Sequence, residues 1–248
     1  MSYFIVTGAT SGIGRAIATQ LAKLGYPLIL VARSEPQLRE LAEKLEVPTQ
    51  IFPMDLSKPQ SAFQLYEACR PFPIKGLVNN AGIGLFGDFA SIDMEAELGL
   101  LQLNIISLHE LCKYFVKDFT AKNEGMILNV ASTAAFQAGP FMASYYASKA
   151  YVLSLTEAIA EEYPQLSISC LAPGPVRTGF HERAGIQAGD KKLPTAAQVA
   201  DYGIKKWFQG QTLIVPGTNN RLLLTLNRLI PRRVGRGLVL KNQLKKKK

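Results

Sequence analysis

The chain has 248 residues, of which 48% are hydrophobic and 19% charged, and it carries a formal net charge of +9. This composition is typical of a globular protein, and no apolar run approaches the roughly 20 residues needed to cross a bilayer. The opening MSYFIVTGA enters a strand-like run at once, leaving no room for a signal peptide, and three widely spaced cysteines (69, 112 and 170) fit buried thiols in a reducing compartment, so we expect a cytoplasmic protein.

Strand-like apolar runs alternate with amphipathic helical stretches along the chain. The strand-like runs occupy residues 4–9, 28–33, 49–56, 76–82, 126–132, 167–174 and 212–217. Helical patterns occupy residues 14–24, 36–45, 61–70, 94–122 and 145–162. Continuous apolar strands are typical of a parallel sheet that is buried on both faces. The order therefore predicts a single doubly wound, Rossmann-type α/β domain over residues 1–217, with three α/β/α layers, and a separate extension at 218–248.

The first predicted strand runs directly into TGATSGIGRA, residues 7–16, in which Gly8, Gly12 and Gly14 have GxxxGxG spacing. Glycine adopts positive φ readily and lets the backbone approach a ligand closely. A helix that begins at about Gly14 would direct free N–H groups and its positive dipole end toward a diphosphate. On the first strand-to-helix turn, this pattern favours a dinucleotide site over a simple turn.

The second predicted strand ends in Val31-Ala32-Arg33-Ser34. Folds that select NAD usually place Asp or Glu here, on the ribose 2′-hydroxyl. A guanidinium can instead bind a 2′-phosphate through charge-assisted hydrogen bonds. The arginine therefore favours NADP(H) over NAD(H), and the alternative is an arginine solvated at a strand end.

The segment SYYASK, residues 144–149, places two tyrosines shortly before a lysine. On a helix, residues three or four apart lie on similar faces. Spacing alone therefore leaves both Tyr145 and Tyr146 as possible partners of Lys149.

Several further motifs follow in a fixed order, and with them residues 2 to about 217 resemble the short-chain dehydrogenase/reductase family in its classical form. The long C-terminal extension resembles a bacterial branch of reductases whose natural substrates are often unassigned. The matching motifs are TGATSGIG, Asp55-Leu56, Asn79-Asn80-Ala81-Gly82, Asn104, Ser132 at the end of NVAS, Tyr145 and Lys149 as YxxxK, and Pro173-Gly174-Pro175-Val176-Arg177-Thr178 as PGxVxT.

The resemblance implies a catalytic set of Asn104, Ser132, Tyr145 and Lys149, and leaves Tyr146 as a packing aromatic. Tyr145 would be the general acid/base, and Lys149 would lower its pKa from about 10 toward neutrality and hold the nicotinamide ribose. Ser132 would orient the substrate oxygen. Asn104 would anchor a water molecule that links Lys149 to solvent.

The resemblance also implies the residues that contact the cofactor. These are Gly8, Thr10, Ser11, Gly12, Ile13, Gly14, Arg33, Ser34, Asp55, Leu56, Asn80, Ala81, Gly82, Tyr145, Lys149, Pro173, Gly174, Val176 and Thr178. No cluster of His, Cys, Asp or Glu has metal-ligand spacing, so we expect metal-free chemistry.

These residues predict an NADP(H)-dependent oxidoreductase that moves a hydride between NADPH and a ketone or aldehyde, or the corresponding alcohol. The alternative is a non-catalytic NADP-binding sensor or scaffold, because fold alone does not guarantee chemistry. The resemblance implies a mobile flap at residues 179–210. Phe136, Phe141 and Met142 are candidates for lining an apolar substrate pocket.

Residues 221–248 contain ten Lys or Arg and no Asp or Glu, so the remaining 220 residues carry a net charge of −1. Leucines at 222, 223, 226 and 229 predict a basic amphipathic helix that ends near Pro231. It could dock on the protein or on a sister subunit, lie on an anionic membrane, or bind nucleic acid. The absence of aromatics from the extension and a body that is not basic argue against nucleic acid. We expect a homo-oligomer, a dimer through residues 94–122 and 145–162 more readily than a tetramer.

Overall fold

The computed structural model describes residues 1–185 and 193–244. Seven parallel strands form one sheet in the order β3-β2-β1-β4-β5-β6-β7. The strands are β1 (Tyr3–Thr7), β2 (Leu28–Ala32), β3 (Thr49–Pro53), β4 (Ile74–Asn79), β5 (Met126–Val130), β6 (Ser167–Leu171) and β7 (Leu213–Ile214). The predicted doubly wound parallel sheet is therefore confirmed.

Ten α-helices are formed by the described residues. They are α1 (Gly12–Lys23), α2 (Glu35–Glu43), α3 (Ser61–Cys69), α4 (Met94–Leu101), α5 (Leu108–Lys122), α6 (Ala143–Glu162), α7 (Phe180–Arg183), α8 (Ala196–Phe208), α9 (Thr218–Leu229) and α10 (Arg232–Leu244). A π-helical segment (Gln102–Ser107) joins α4 to α5, and a 3-10 turn (Thr133–Phe136) follows β5. The long helix predicted at 94–122 is thus interrupted by a wider turn, and α10 continues the chain past Pro231.

The core lies on both faces of the sheet. Successive strand residues point to opposite faces, so Ile5 packs toward α3, α5 and α6, while Phe4 packs toward α1, α2 and α8. The indole of Trp207 on α8 is fully buried, lies 5.6 Å from the Phe4 ring between centroids, and donates its N–H to the Ser167 carbonyl at 3.2 Å. Cys69, Cys112 and Cys170 are free and buried, as expected.

The predicted flap at 179–210 is wrong for residues 196–208, because α8 packs into the core rather than over the cleft. Its residues 186–192 lie outside the described part of the chain. Within that described part, none of the helices combines the length and apolar content of a membrane span.

The strand order reverses between β1 and β4, because the chain crosses from the β3 edge back to the middle of the sheet. In open α/β sheets the ligand cleft lies beyond the carboxyl ends of the strands at such a switch point. Gly8 follows β1, Asn80 follows β4, Ser132 follows β5 and Pro173 follows β6. The fold thus brings the predicted motifs to one edge.

Candidate active site

The glycine turn after β1 leads into the N-terminus of α1 at the switch point. The helix begins at Gly12, two residues before the predicted start, and the Ser11 N-cap side chain forms no capping hydrogen bond. No acidic residue occupies the first turn of α1. A Cβ on Gly14 would lie 2.3 Å from both the Gly8 oxygen and the Asn80 Nδ2, so only glycine allows this packing. The first-turn N–H groups of α1 thus remain available for an anionic group.

Asn80 and Thr7 tie the turn after β1 to the loop after β4. The Asn80 Nδ2 donates to the carbonyls of Thr7 at 2.9 Å and Gly8 at 3.2 Å. In return, the Thr7 Oγ1 accepts from the backbone N–H groups of Asn80 and Ala81, each at 3.0 Å. These bonds fix the floor of the cleft. Thr7 was not among the predicted site residues, although it opens the TGATSGIG motif.

Two adjoining cavities contain most of the predicted cofactor residues. The first is lined by Gly8, Thr10, Ser11, Gly12, Arg33, Ser34, Asp55, Leu56, Asn80, Ala81 and Gly82. The second is lined by Ile13, Asn80, Gly82, Ser132, Tyr145, Lys149, Pro173, Gly174, Val176 and Thr178. They share Asn80, Gly82 and Phe180, so the cleft continues from one to the other. Of the predicted contact residues, only Gly14 lines neither, since it packs beneath the turn.

The first cavity ends at Arg33, whose side chain is exposed. Among the described residues no carboxylate lies within ion-pair distance of its guanidinium. Asp55 accepts hydrogen bonds from the Ser57 N–H at 3.0 Å and hydroxyl at 2.7 Å. Partial burial acts to raise the pKa of Asp55, but these hydrogen bonds and the charge of Arg33 outweigh it and hold that pKa below its usual value. Arg33 therefore offers, at this end, a cation that forms no ion pair with a carboxylate of the described residues.

The second cavity contains Lys149, a buried cation near Tyr145. Only 6% of the lysine is exposed. Its Nζ donates to the Val130 carbonyl at 2.9 Å and lies 5.9 Å from the centroid of the Tyr145 ring. Burial lowers the pKa of the Lys149 ammonium from 10.5 to about 8, because the charged form loses its hydration.

Burial also raises the pKa of the Tyr145 phenol to about 12; a side-chain hydrogen bond with Ser132 opposes the rise, and the neighbouring Tyr146 adds to it. The sequence-based expectation that Lys149 lowers the pKa of Tyr145 toward neutrality is therefore wrong for this structure. The Lys149 Nζ instead donates a hydrogen bond to the Val130 carbonyl. The loss of hydration on burial is the largest influence on the pKa of Tyr145. Tyr145 is consequently a protonated acid at neutral pH.

Ser132 lies two residues beyond the end of β5 and caps the short 3-10 turn. Its Oγ accepts from the Ala134 N–H at 3.1 Å and donates to the Pro173 carbonyl at 3.4 Å. These contacts hold the hydroxyl beside Tyr145, in the wall of the second cavity.

Asn104 lies in the π-helical segment and is 1% exposed. Its Oδ1 accepts from the Ile83 N–H at 3.0 Å, and its Nδ2 donates to the Ile83 carbonyl at 2.9 Å and to the Ser148 hydroxyl at 3.1 Å. A Cβ on Gly82 would lie 3.2 Å from the Asn104 Oδ1 and 3.4 Å from the Lys149 Nζ. Asn104 thus lies behind the cleft rather than lining it, and joins the loop after β4 to α6. Such π-helical turns are frequent at functional sites.

Tyr146 packs as predicted, because its ring lies against Gly139 so closely that a Cβ there would meet it at 2.3 Å. Its hydroxyl accepts a hydrogen bond from the Gln243 Nε2 at 3.2 Å. Of the three predicted pocket residues, only Met142 lines the second cavity, together with Phe180. Phe136 lines a separate cavity beneath the extension, and Phe141 packs near Phe86 with ring centroids 6.0 Å apart.

The C-terminal extension docks on the body of the protein through one face. Leu224 packs with Ala172 and Val215, and the Asn227 Nδ2 donates to the Phe136 carbonyl at 3.4 Å. Other apolar side chains of α9 and α10 remain exposed, namely Leu222, Leu223, Leu226, Leu229, Val234, Leu238, Leu240 and Leu244. Docking on the protein's own surface was one of the predicted alternatives. It buries only some of the apolar side chains of the extension and leaves the others exposed.

Comparisons with known proteins identify relatives of this chain. A family model described as short chain dehydrogenase matches residues 2–188. The chain is 29% identical over 209 residues to the 7beta-hydroxysteroid dehydrogenase of Clostridium sardiniense, which covers 83% of this chain and 80% of that protein.

Two solved structures share the fold. The short-chain dehydrogenase from Sphingobium yanoikuyae in complex with NADPH is 28% identical, with a TM-score of 0.83 over 88% of this chain and 89% of that one. A short-chain dehydrogenase/reductase from Burkholderia phymatum in complex with NAD is 24% identical, with a TM-score of 0.82 over 91% and 92%.

Three features fit a bound dinucleotide. The N-terminus of α1 has no side-chain cap, Gly14 has no room for a Cβ, and the cleft is continuous. Ser132, Tyr145 and Lys149 line the second cavity and fit proton transfer at that end of the cleft. The chain belongs to the short-chain dehydrogenase/reductase family, as an oxidoreductase that acts on CH–OH and C=O groups with a nicotinamide dinucleotide.

Proposed function

We propose that this protein is an NADPH-dependent carbonyl reductase in which Tyr145 donates a proton to the substrate oxygen. The observation that carries the proposal is one continuous cleft, with Arg33 at one end and Ser132, Tyr145 and Lys149 at the other. When bound, the dinucleotide supplies the hydride.

The protonation states of Tyr145 and Lys149 favour reduction at neutral pH. When a hydride adds to the carbonyl carbon, the oxygen takes the electron pair of the C=O π bond, becomes an alkoxide and needs a proton. The phenol of Tyr145 is protonated, since burial raises its pKa to about 12. Ser132 orients the carbonyl oxygen through its hydroxyl. The ammonium of Lys149 stabilises the negative charge left on the phenolate, and Asn104, behind the cleft, fixes the loop after β4 against α6.

The exposed guanidinium of Arg33 supports a preference for NADPH over NADH. A 2′-phosphate placed beside it would gain a charge-assisted, bidentate partner, and no carboxylate of the described residues competes for it within ion-pair distance. Asp55, the nearby acid on the cleft wall, is held by Ser57. Kd values for NADPH and NADH, measured by fluorescence titration, test the preference.

The activity is tested by following NADPH oxidation by absorbance against ketones, aldehydes and 3-oxoacyl thioesters. Turnover of at least one class is the expected result. Tight NADPH binding with no turnover of any class would instead support the non-catalytic sensor or scaffold, which the presence of Ser132, Tyr145 and Lys149 in one cavity argues against.

We also propose a cytoplasmic homodimer. Exposed apolar side chains on α4, the π-helical segment and α6 would cover one another across a two-fold axis: Met94 is 66% exposed, Leu98 57%, Ile106 44% and Tyr151 37%. The free, buried cysteines agree with a reducing compartment. Sedimentation of the wild-type protein and of Leu98→Glu distinguishes a dimer from a monomer, and a monomeric wild type would refute the interface.

We propose that the exposed face of α9 and α10 binds an anionic membrane surface. Leu223 and Leu229 are 63% and 78% exposed, and residues 221–248 carry ten basic and no acidic residues. Apolar side chains beside basic ones suit the headgroup boundary of acidic lipids. Co-sedimentation with phosphatidylserine vesicles, compared with neutral vesicles and with Leu223→Ser/Leu226→Ser, tests this. Equal binding to neutral and phosphatidylserine vesicles, or unchanged binding of the double variant, would contradict the proposed membrane contact.

A further inference from the structure

Gln243 is a polar side chain that is buried in the catalytic cavity yet only half hydrogen bonded. It is 1% exposed and lines the same cavity as Ser132, Tyr145 and Lys149. Its Nε2 donates to the Tyr146 hydroxyl at 3.2 Å. Its Oε1 has no hydrogen-bond partner among the described residues. Buried amide groups are almost always fully paired, so the free end of this amide calls for an explanation.

The position of Gln243 on α10 makes the polar residue more unusual. Residues four apart lie on one face of a helix, and the buried face of α10 consists of Gly235, Val239 and Gln243. Gly235 is a small residue that lies against Asn227, and Val239 is a buried apolar residue. A purely packing role at the third position would be met by leucine, without leaving an unpaired oxygen.

We propose that Gln243 binds a hydroxyl group of the substrate, separate from the carbonyl that is reduced. The proposal rests on the carbonyl reductase function above and assigns its substrate class: an apolar ketone that carries a second oxygen as a hydroxyl. An amide has a donor and an acceptor end, and the Tyr146 hydroxyl can bind either. Whichever end remains free, a hydroxyl can pair with it, since it both donates and accepts.

The surroundings of Gln243 place this contact beside the reacting group. Tyr146, which holds the amide, neighbours Tyr145, and their ring centroids are 6.1 Å apart. Met142 and Phe180 supply apolar walls in the same cavity. One substrate molecule can therefore present its carbonyl to Tyr145 and a second oxygen to Gln243, with an apolar skeleton between them. Gln243 would be a specificity-determining residue contributed by the C-terminal extension.

The experiment compares kcat/KM for matched pairs of apolar ketones, each pair with and without one additional hydroxyl at a chosen position. The proteins are the wild type, Gln243→Leu, and Asn242→Leu as a control, because Asn242 is the neighbouring amide and is exposed. For at least one pair we expect the wild type to favour the hydroxylated ketone by roughly tenfold or more. Gln243→Leu should remove that preference, mainly by slowing the hydroxylated ketone, with the KM for NADPH unchanged. Asn242→Leu should keep it.

Three results would overturn the inference. One is a hydroxyl preference that is absent in the wild type for every pair, or equal in wild type and Gln243→Leu. Another is that Gln243→Leu lowers kcat/KM equally for both ketones of each pair and lowers the melting temperature, which indicates a structural role. Gln243→Glu keeps an acceptor of the same length, so it should retain part of the hydroxyl preference if Gln243 recognises the hydroxyl. If the wild type reduces no ketone at all, the proposed function fails and this inference falls with it, whereas turnover without hydroxyl preference removes the inference alone.

Discussion

Replacing Lys149 with methionine should stabilise the protein at neutral pH while removing its activity. The fall in the pKa of Lys149 from 10.5 to about 8 corresponds to roughly 3 kcal/mol of unfavourable free energy for holding the cation in the folded state, at about 1.4 kcal/mol per tenfold change in ionisation. Methionine has a similar volume and no charge. The hydrogen bond to the Val130 carbonyl is lost, which takes back about 1–2 kcal/mol. A net gain of about 1–2 kcal/mol remains.

The pH dependence separates this explanation from ordinary repacking. The unfolded chain holds the Lys149 proton up to about 10.5, whereas the folded protein releases it near 8. The unfolded state therefore binds more protons between these values, and wild-type stability should rise with pH across this window. Lys149→Met lacks the group, so its advantage is present below pH 8 and vanishes as the pH rises toward 10.5.

Urea unfolding of both proteins at pH 7 and pH 10, analysed by linear extrapolation, measures the difference in free energy of unfolding. Loss of NADPH-dependent reduction in the folded variant completes the test. The reasoning is refuted if Lys149→Met is less stable than the wild type at pH 7, or if the difference between the two proteins is the same at both pH values.

Three other expectations follow from the same cleft. Tyr145→Phe should lower kcat by about 10³-fold or more while Kd for NADPH stays nearly constant, and Tyr146→Phe should cost less than about tenfold; steady-state rates that reverse this order would move the acid to Tyr146. The ratio kcat/KM for NADPH should be level below the free-enzyme pKa of Lys149, about 8, and fall about tenfold per pH unit above it, so a rise through that range in initial-rate profiles would contradict the role of the cation. Arg33→Ala should weaken NADPH by roughly tenfold or more in fluorescence titrations and leave NADH nearly unchanged, and equal losses for both would argue against the phosphate contact.

The predicted and observed folds agree where the signal is local. Continuous apolar runs such as FIVTGA and LILVAR mark strands that are buried on both faces, and their alternation with helices requires parallel crossover connections. Gly14 lies in the first turn of α1, where a close contact with Gly8 and Asn80 leaves no room for a side chain. The resemblance to the family rested on motifs that follow one another in a fixed order between Gly8 and Thr178.

The differences arise where contacts join distant parts of the chain. Residues 196–208 were expected to belong to a flap, but the packing of the buried side chains of α8, such as Trp207 on Phe4, places that helix in the core instead of over the cleft. The widened turn at Asn104 depends on its bonds to Ile83 and Ser148. Periodicity within a segment says which face is apolar and nothing about which surface will cover it.

The sequence by itself determined the layered architecture and the dinucleotide turn, because apolar runs and glycine spacing are recorded in short stretches of neighbouring residues, whereas the choice of Ser132, Tyr145 and Lys149 came from the family resemblance. Only the tertiary structure decided the acidity of Tyr145, since the loss of hydration is caused by groups from several elements packed around it. It alone brought Gln243 to Tyr146, across 97 positions of the chain. A hydrogen bond at that separation depends on how α10 docks, and no local pattern in KNQL encodes the surface that receives it.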